Sequence, residues 1–330
     1  MTRAFAPGAL SLLLAAGCGS TQNANDQPTS MHLTAPVDVA AGLTMTIEPH
    51  AVLAGDPGVT ITIHGTLKVA SATGAHARIE EASAGAGWGG LVIAEGGTLD
   101  ADGLDLTGAP EALHLLTGSL PSHYDHGTIS GADTPFDVEK GARLDTAHAT
   151  VVAATSSSGI NGEFHASYLD YEKTGLAGGI IMGDATAIFD MADSTLHATP
   201  GPVGGDYVIS YASKLVRASY STIVGSHCAF HFDDVEQFEI DHVTAGAATP
   251  TGPDKLNAYG GMLYGSGAGP NVISNSNFAN AEVNLDVQGT NGPITITNTY
   301  STGLNAAPDG TVTWAPADRA AAPIADAKPR

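Results

Sequence analysis

The chain is poor in cysteine, in basic residues and in aromatics, and each shortage closes off a class of protein. Two cysteines, Cys18 and Cys228, cannot build a disulfide framework, so the fold must hold by packing. Twelve Lys and Arg stand against 34 Asp and Glu, a formal charge of −22. That balance excludes nucleic acid as a partner, because a phosphate backbone needs a basic surface. It also argues against electrostatic adsorption to anionic lipid; cations and simple solubility are the natural counterparts of such a surface. Aromatics make up only 6% while apolar residues reach 43%, so a sizeable core is built from small and branched side chains. The apolar run at 10–16 is too short to span a bilayer. No convincing amphipathic helix follows residue 20. Glycine, at 41 of 330 residues, is abundant and signals many turns.

The N-terminus reads as a processing signal: Arg3, then the short apolar run, then Leu14, Ala15, Ala16, Gly17 and Cys18. This ending resembles a bacterial lipobox, which implies that Cys18 is diacylated and becomes the first residue of the mature chain. Lipid chains would anchor the protein to a membrane without spanning it. No Asp follows Cys18, which in a Gram-negative cell implies the outer membrane or cell surface. Residues 19–30 are polar and read as a flexible tether. With Cys18 acylated, Cys228 has no intrachain partner.

Two stretches far along the chain, ISNSNF from Ile273 and ITNTYS from Ile296, share one pattern. The same pattern, looser, starts at Ile79, Leu104, Tyr124, Leu144, Phe164, Phe189, Val216 and Ile240. Self-similarity at about 20 to 27 residues is the mark of a solenoid. Short alternating runs such as VTITIHG (59–65) and PITITN (293–298), broken by Gly, Pro, Asn and Asp, make the repeats strands rather than helices. A dense leucine ladder is missing. The expectation is an all-β, single-stranded parallel β-helix of about ten or more coils, whose right-handed sense is implied by the resemblance that follows.

LTMTIEPHAVLAG (43–55), ITIHGTLKVAS (61–71) and GWGGLVI (87–93), in that order, are similar to the opening coils of secreted right-handed parallel β-helix proteins, the pectate-lyase-like superfamily. The tail at 315–327 resembles a degraded form of their common ending. The resemblance implies a cap at 31–43, the β-helix over 44–303 and an Ala/Pro-rich C-terminal tail at 304–330, after the signal peptide (1–18) and tether (19–30). It implies a fold and no single function, because one fold hosts many activities.

In a β-helix the first residue of each repeat should point inward and the second outward. Asn275 and Asn298 share a position and are expected to form a short inward ladder. The outward file then reads Glu80, Asp105, Asp125 and Asp145, four acids one coil apart. Like charges in neighbouring strands destabilise a sheet. Calcium, which takes several carboxylate oxygens, would turn that repulsion into ligation; the alternative is a set of solvated acids screened by salt.

HCAFHFDD (227–234) places Cys228 inside and His227, His231 and Asp233 outside. His227 and His231 are expected about 13 Å apart and unable to share a metal. His231 and Asp233 are neighbours and, with a residue of an adjacent coil, suit zinc. The interval from Ile240 to Ile273 is long, with a loop expected at 249–261. Tyr207, Tyr211, Tyr220, Tyr259 and Tyr264 cluster in this half and are candidate stacking platforms for glycan.

Enzyme signatures are sparse. Lyase chemistry needs a calcium cluster and a base, for which only Arg217 suggests itself. Hydrolase chemistry needs paired carboxylates in context, and only Asp233 and Asp234 offer a pair. The leading reading is a non-enzymatic, lipid-anchored surface rod that binds glycan or divalent cations. Alternatives are a polysaccharide lyase or glycoside hydrolase with a degenerate motif set, and a self-associating adhesin.

Overall fold

The computed structural model describes residues 29–330 except 71–73, 175–177, 199–205, 226, 248–258, 265–266, 268, 280–282, 288–291, 302–303, 307–311 and 314–319. Cys18 and the expected signal and tether lie outside the described residues, as does most of the loop at 249–261. No helix among the described residues is long and apolar enough to cross a membrane.

Every strand pairing among the described residues is parallel, and through most of the chain each strand pairs with the one three places further along, as a three-sided coil requires. A representative coil runs Arg143–Ala147, Thr150–Ala154 and Ser158–Ile160, and the next runs Glu163–Ser167, Asp170–Lys173 and Ile180–Gly183. The three strands of a coil define three faces of a parallel β-solenoid. The third face is a 12-stranded sheet; the first and second are joined in one 22-stranded sheet. In two later coils the first and second faces are a single bent strand, Leu215–Gly225 and Gln237–Ala247.

Alternation explains the core. Along Glu163–Ser167, Phe164 and Ala166 are buried while Glu163, His165 and Ser167 are not. All ten repeat-start residues predicted to point inward, from Ile79 to Ile296, are at most 1% exposed. They do not, however, form one file. Leu144, Phe164, Phe189, Val216 and Phe238 are in register on the first face. Tyr124 opposes Thr146, and Ile240 opposes Ala218, so these belong to the next inward file. Ile79 and Leu104 sit on the second face. Like stacks on like: Phe164 lies 5.4 Å from Phe136 and 6.0 Å from Phe189, the latter rings parallel within 1°.

The stretch at 31–43, expected as a cap, supplies first-coil strands Ser30–Leu33 and Val37–Val39, which pair with Val52–Gly55 and Thr60–Ile63. Pairing also continues past residue 303, through Leu304–Ala306 and Val312–Thr313. The chain then turns back along the solenoid. The Ala320 amide donates to the Thr299 carbonyl at 3.1 Å. Asn277 bonds both backbone groups of Ile324. The Thr244 hydroxyl donates to the Ala327 carbonyl, and Arg330 reaches Asp193. The segment from 320 onward is therefore a strap laid against the direction of coil growth.

The corner between first and second faces is made by one residue in the left-handed region: His126, His148, Tyr168, Asp193, Tyr220, His242, Asn275 and Asn298, with φ from 38° to 53°. Side chains other than glycine pay of order 1–2 kcal/mol there. Ring stacking offsets part of that cost: His126 on His148 at 4.8 Å, His148 on Tyr168 at 4.5 Å, Tyr220 on His242 at 4.5 Å. The same geometry corrects the expected inward asparagine ladder. Asn298 does donate to Asn275 at 2.7 Å, but the left-handed corner turns both outward, and the buried rungs are their successors Ser276 and Thr299.

Candidate functional site

The outward file of the first face runs Lys68, Asp100, His123, Asp145, His165, Asp190, Arg217, Glu239, each opposite the next. Nitrogen bases and carboxylates alternate along it. Lys68 is 3.8 Å from Asp100, His123 3.8 Å from Asp145 and His165 3.8 Å from Asp190. Arg217 is clasped from both sides, by Asp190 at 3.0 Å and Glu239 at 2.9 Å. The bond from Glu239 chiefly holds its guanidinium above its ordinary range, against the opposing effect of burial.

This register corrects the expected column of four acids. Glu80 and Asp105 lie on the second face, in different files: Glu80 opposes Thr107, and Asp105 opposes Arg78. Asp145 opposes His123 and His165, whereas Asp125 opposes Asp102 and Ala147. The 20-residue spacing from Tyr124 to Leu144 is two short of the true register, which pairs Ser122 with Leu144. Each acid has its own partner. Asp105 bonds His76 at 2.9 Å and the Thr128 amide at 3.0 Å. Asp125 accepts from the Ala147 amide at 2.7 Å, Asp145 takes the Arg143 fork at 2.9–3.1 Å, and Glu80 lies 3.7 Å from Arg78. The structure does not gather them around one ion.

Beside the alternating file runs a file of small residues, Ala147, Ser167, Ala192 and Ser219, between Asp125 and Asp241. The height difference opens a shallow concavity of about 370 Å³ lined by His123, Asp125, Asp145, Ser167, His165 and Asp190. Within it the His165 Nε2 is buried without a hydrogen-bond partner, 3.6 Å from Glu163. Outward alternation and the choice of small residues were visible in the sequence; which of them adjoin was not.

The five tyrosines do not make one platform. Tyr207 is fully buried, its hydroxyl donating to the Tyr171 and His197 carbonyls. Both ring faces of Tyr220 are covered, by His242 and by the Arg330 guanidinium at 4.0 Å. Tyr264 sets its ring at 82° to His231 and donates to Asp286 at 2.9 Å. Tyr211 is 54% exposed, and Tyr168, not anticipated, is 45% exposed. The side chain of Tyr259 lies outside the described residues.

On the third face, His227 and His231 prove close enough to serve one group. Asp206, from the preceding coil, accepts from the Nδ1 atoms of both. Each ring leans to its own oxygen of that carboxylate, and the group of ligand atoms close enough for one ion contains His231 and not His227. Cys228 is fully buried as expected, and its thiol lies beside Asp206, within 4.8 Å of a carboxylate oxygen. Burial pushes the Asp206 carboxyl up, but the bonds from His227, His231 and Cys228 together hold it well below the ordinary range. His231 is raised, first by the Asp206 bond, against burial. Burial, then Asp206, pushes the Cys228 thiol far up.

Two further groups escaped the sequence. His114 lies 3.3 Å from both Glu111 and Glu139 and 3.5 Å from Asp137. Burial, and then the neighbouring Glu111 and Glu139, raise Asp137 despite the opposing effect of His114. Lys173 is wholly buried, with no hydrogen-bond partner for its Nζ among the described residues, and burial lowers its pKa to about 8 against the attraction of Asp206. Neither carries a local motif, since one depends on cross-coil register and the other on which face its strand turns inward. No family model, curated protein or solved structure matches the chain.

Proposed function

We propose that this is an exported lipoprotein, anchored through Cys18 at the outer membrane or cell surface, whose right-handed β-helix of the pectate-lyase-like type serves as a rigid, non-enzymatic rod binding polysaccharide. The observation that supports it best is the concavity of the first face. Carboxylates and imidazoles alternate along it from one coil to the next, at a spacing of about 4.8 Å. A polymer of hydroxylated rings presents hydrogen-bond donors and acceptors at repeated intervals, which such a comb can meet. The acidity of the surface favours a neutral polymer over a polyuronate. The lyase reading loses its base, because Arg217 is clasped by Asp190 and Glu239. Of the acids that suggested a hydrolase, Asp233 is bonded by His231, which supports a structural role for it.

Affinity electrophoresis against neutral glucans, mannans and a polyuronate tests binding, with an assay for new reducing ends or unsaturated products beside it. Retardation by a neutral polymer, lost in Asp145→Asn/His165→Ala and without product, is expected. Product release would replace this reading with an enzymatic one, and no retardation by any polymer would end it. Labelled palmitate incorporated by the natural chain and not by Cys18→Ser is the expected outcome for the anchor.

A further inference from the structure

We propose that Asp206, Cys228 and His231 form a zinc site on the third face, with Asp233 as the outer partner of the histidine ligand. One carboxylate oxygen, the Cys228 Sγ and one ring nitrogen of His231 all lie within 4.8 Å of one another. Ligands about 2.0–2.3 Å from a tetrahedral zinc stand about 3.3–3.8 Å apart, so modest side-chain rotation closes the set. The donors come from two coils: Asp206 precedes the strand Val208–Ala212, and that strand pairs with Cys228–Phe232.

The chemistry of the donors selects the metal. Thiolate with imidazole and carboxylate suits zinc and its borderline neighbours, whereas calcium and magnesium want oxygen alone. In the present arrangement an imidazole N–H from each of His227 and His231 is directed at Asp206, and the Cys228 Sγ stands beside the same carboxylate. Protons gathered on one carboxylate next to a thiol are the proton-filled counterpart of a cation site: zinc would take the place of the protons of the thiol and of the His231 ring on the side of the carboxylate.

Two independent features orient the ring as a ligand. While Nδ1 faces Asp206, Nε2 lies 3.1 Å from Asp233 Oδ1. A carboxylate on the far nitrogen fixes the tautomer and strengthens the ligand. Tyr264 packs edge-on against the same imidazole, centroids 5.9 Å apart, and is itself tied to Asp286. His227 bonds the second oxygen of Asp206 and steadies that carboxylate from outside the set of three. The expected pairing of His231 with Asp233 as joint ligands is thereby recast, with Asp233 behind the ring and the ligands on its other side.

Cobalt and zinc, added singly to the purified full-length chain carrying Cys18→Ala, test the site with Cys228 as the single thiol. One equivalent of Co²⁺ should give a thiolate-to-cobalt charge-transfer band with tetrahedral ligand-field absorption, displaced by one equivalent of Zn²⁺. Cys228→Ser should abolish the band, and His231→Ala and Asp206→Asn should weaken binding at least about tenfold. Asp233→Asn alters a more exposed residue and should leave the fold intact, keep the band and cost about tenfold in affinity. Absence of stoichiometric binding, a band that survives Cys228→Ser, or an affinity unchanged in Asp233→Asn would each overturn the proposal.

Discussion

The Arg330 guanidinium grips the Asp193 carboxylate, 137 residues earlier, through Nε and Nη2 at 2.9 Å each. Asp193 is the one acid in a corner file otherwise occupied by rings and amides, and its side chain is only 5% exposed. Arg330 fills the break that it leaves, covering the ring of Tyr220 at 4.0 Å. A stack interrupted in sequence is thus completed by the strap.

Arg330→Ala should release that strap. Hydrogen exchange at the Ala320 and Ala327 amides should accelerate, while the coils around Phe164 keep their protection. The Arg330 bonds, against burial, hold the Asp193 carboxyl below the ordinary range. Their contribution is present above the unfolded carboxylate pKa and lost as pH falls through the lower folded value. Acid titration followed by exchange should therefore free the strap of the natural chain as well. An unchanged strap in Arg330→Ala would show that the Asn277 and Thr244 contacts suffice.

Lys173→Met should stabilise the protein. The natural side chain is buried without a hydrogen-bond partner among the described residues, and burial, against the attraction of Asp206, takes its pKa from the ordinary lysine range to about 8. Between about pH 8 and 10.5 the unfolded chain holds a proton that the folded one has released, so stability rises with pH across that window. The full shift corresponds to about 3 kcal/mol, present as a penalty below pH 8. Denaturant melts at pH 7 and pH 10 should show the variant gaining at pH 7 and losing part of the slope between them.

Phe164→Ala should cost about 3–5 kcal/mol. Phe189 stacks on its ring from the next coil of the same file, Phe136 meets it from the third face, and the site is fully closed. Urea unfolding of the variant measures it; a loss below about 1 kcal/mol would mean that the file collapses around the cavity.

Arg217→Gln leaves Asp190 and Glu239 without their shared cation. The site is partly exposed, so the loss should be about 0.5–1 kcal/mol at low ionic strength. It should shrink in salt as screening shortens the reach of the remaining acids. Melting at two salt concentrations distinguishes this from a salt-independent packing loss.

Millimolar Ca²⁺ against EDTA should leave the melting temperature within about one degree. A cation stabilises only by preferring the native state. Glu80, Asp105, Asp125 and Asp145 are dispersed over separate files with partners of their own. A clear upward shift would point to a calcium site elsewhere on the chain.

What could be read along the chain was local and periodic. The recurrence of Ile, Leu and Phe starts, the alternation within short Val/Ile/Thr runs and the punctuating glycines suffice for a parallel solenoid, because strand side chains alternate whatever the coil does. They suffice also for burial: Tyr124, Phe164, Cys228 and Ile296 are inside as expected. Registers between coils are another matter. A coil gains or loses residues at its corners, and a slip of two keeps every side chain on its side while exchanging its neighbours. An all-acid column became an alternating file of bases and acids in this way. Left-handed corners turned Asn275 and Asn298 outward, and Asp206, beyond any motif, was drawn under His227 and His231. Periodicity determined inside and outside; only the stacking of the coils decided which side chains meet, because contacts across coils depend on the length of every turn between them.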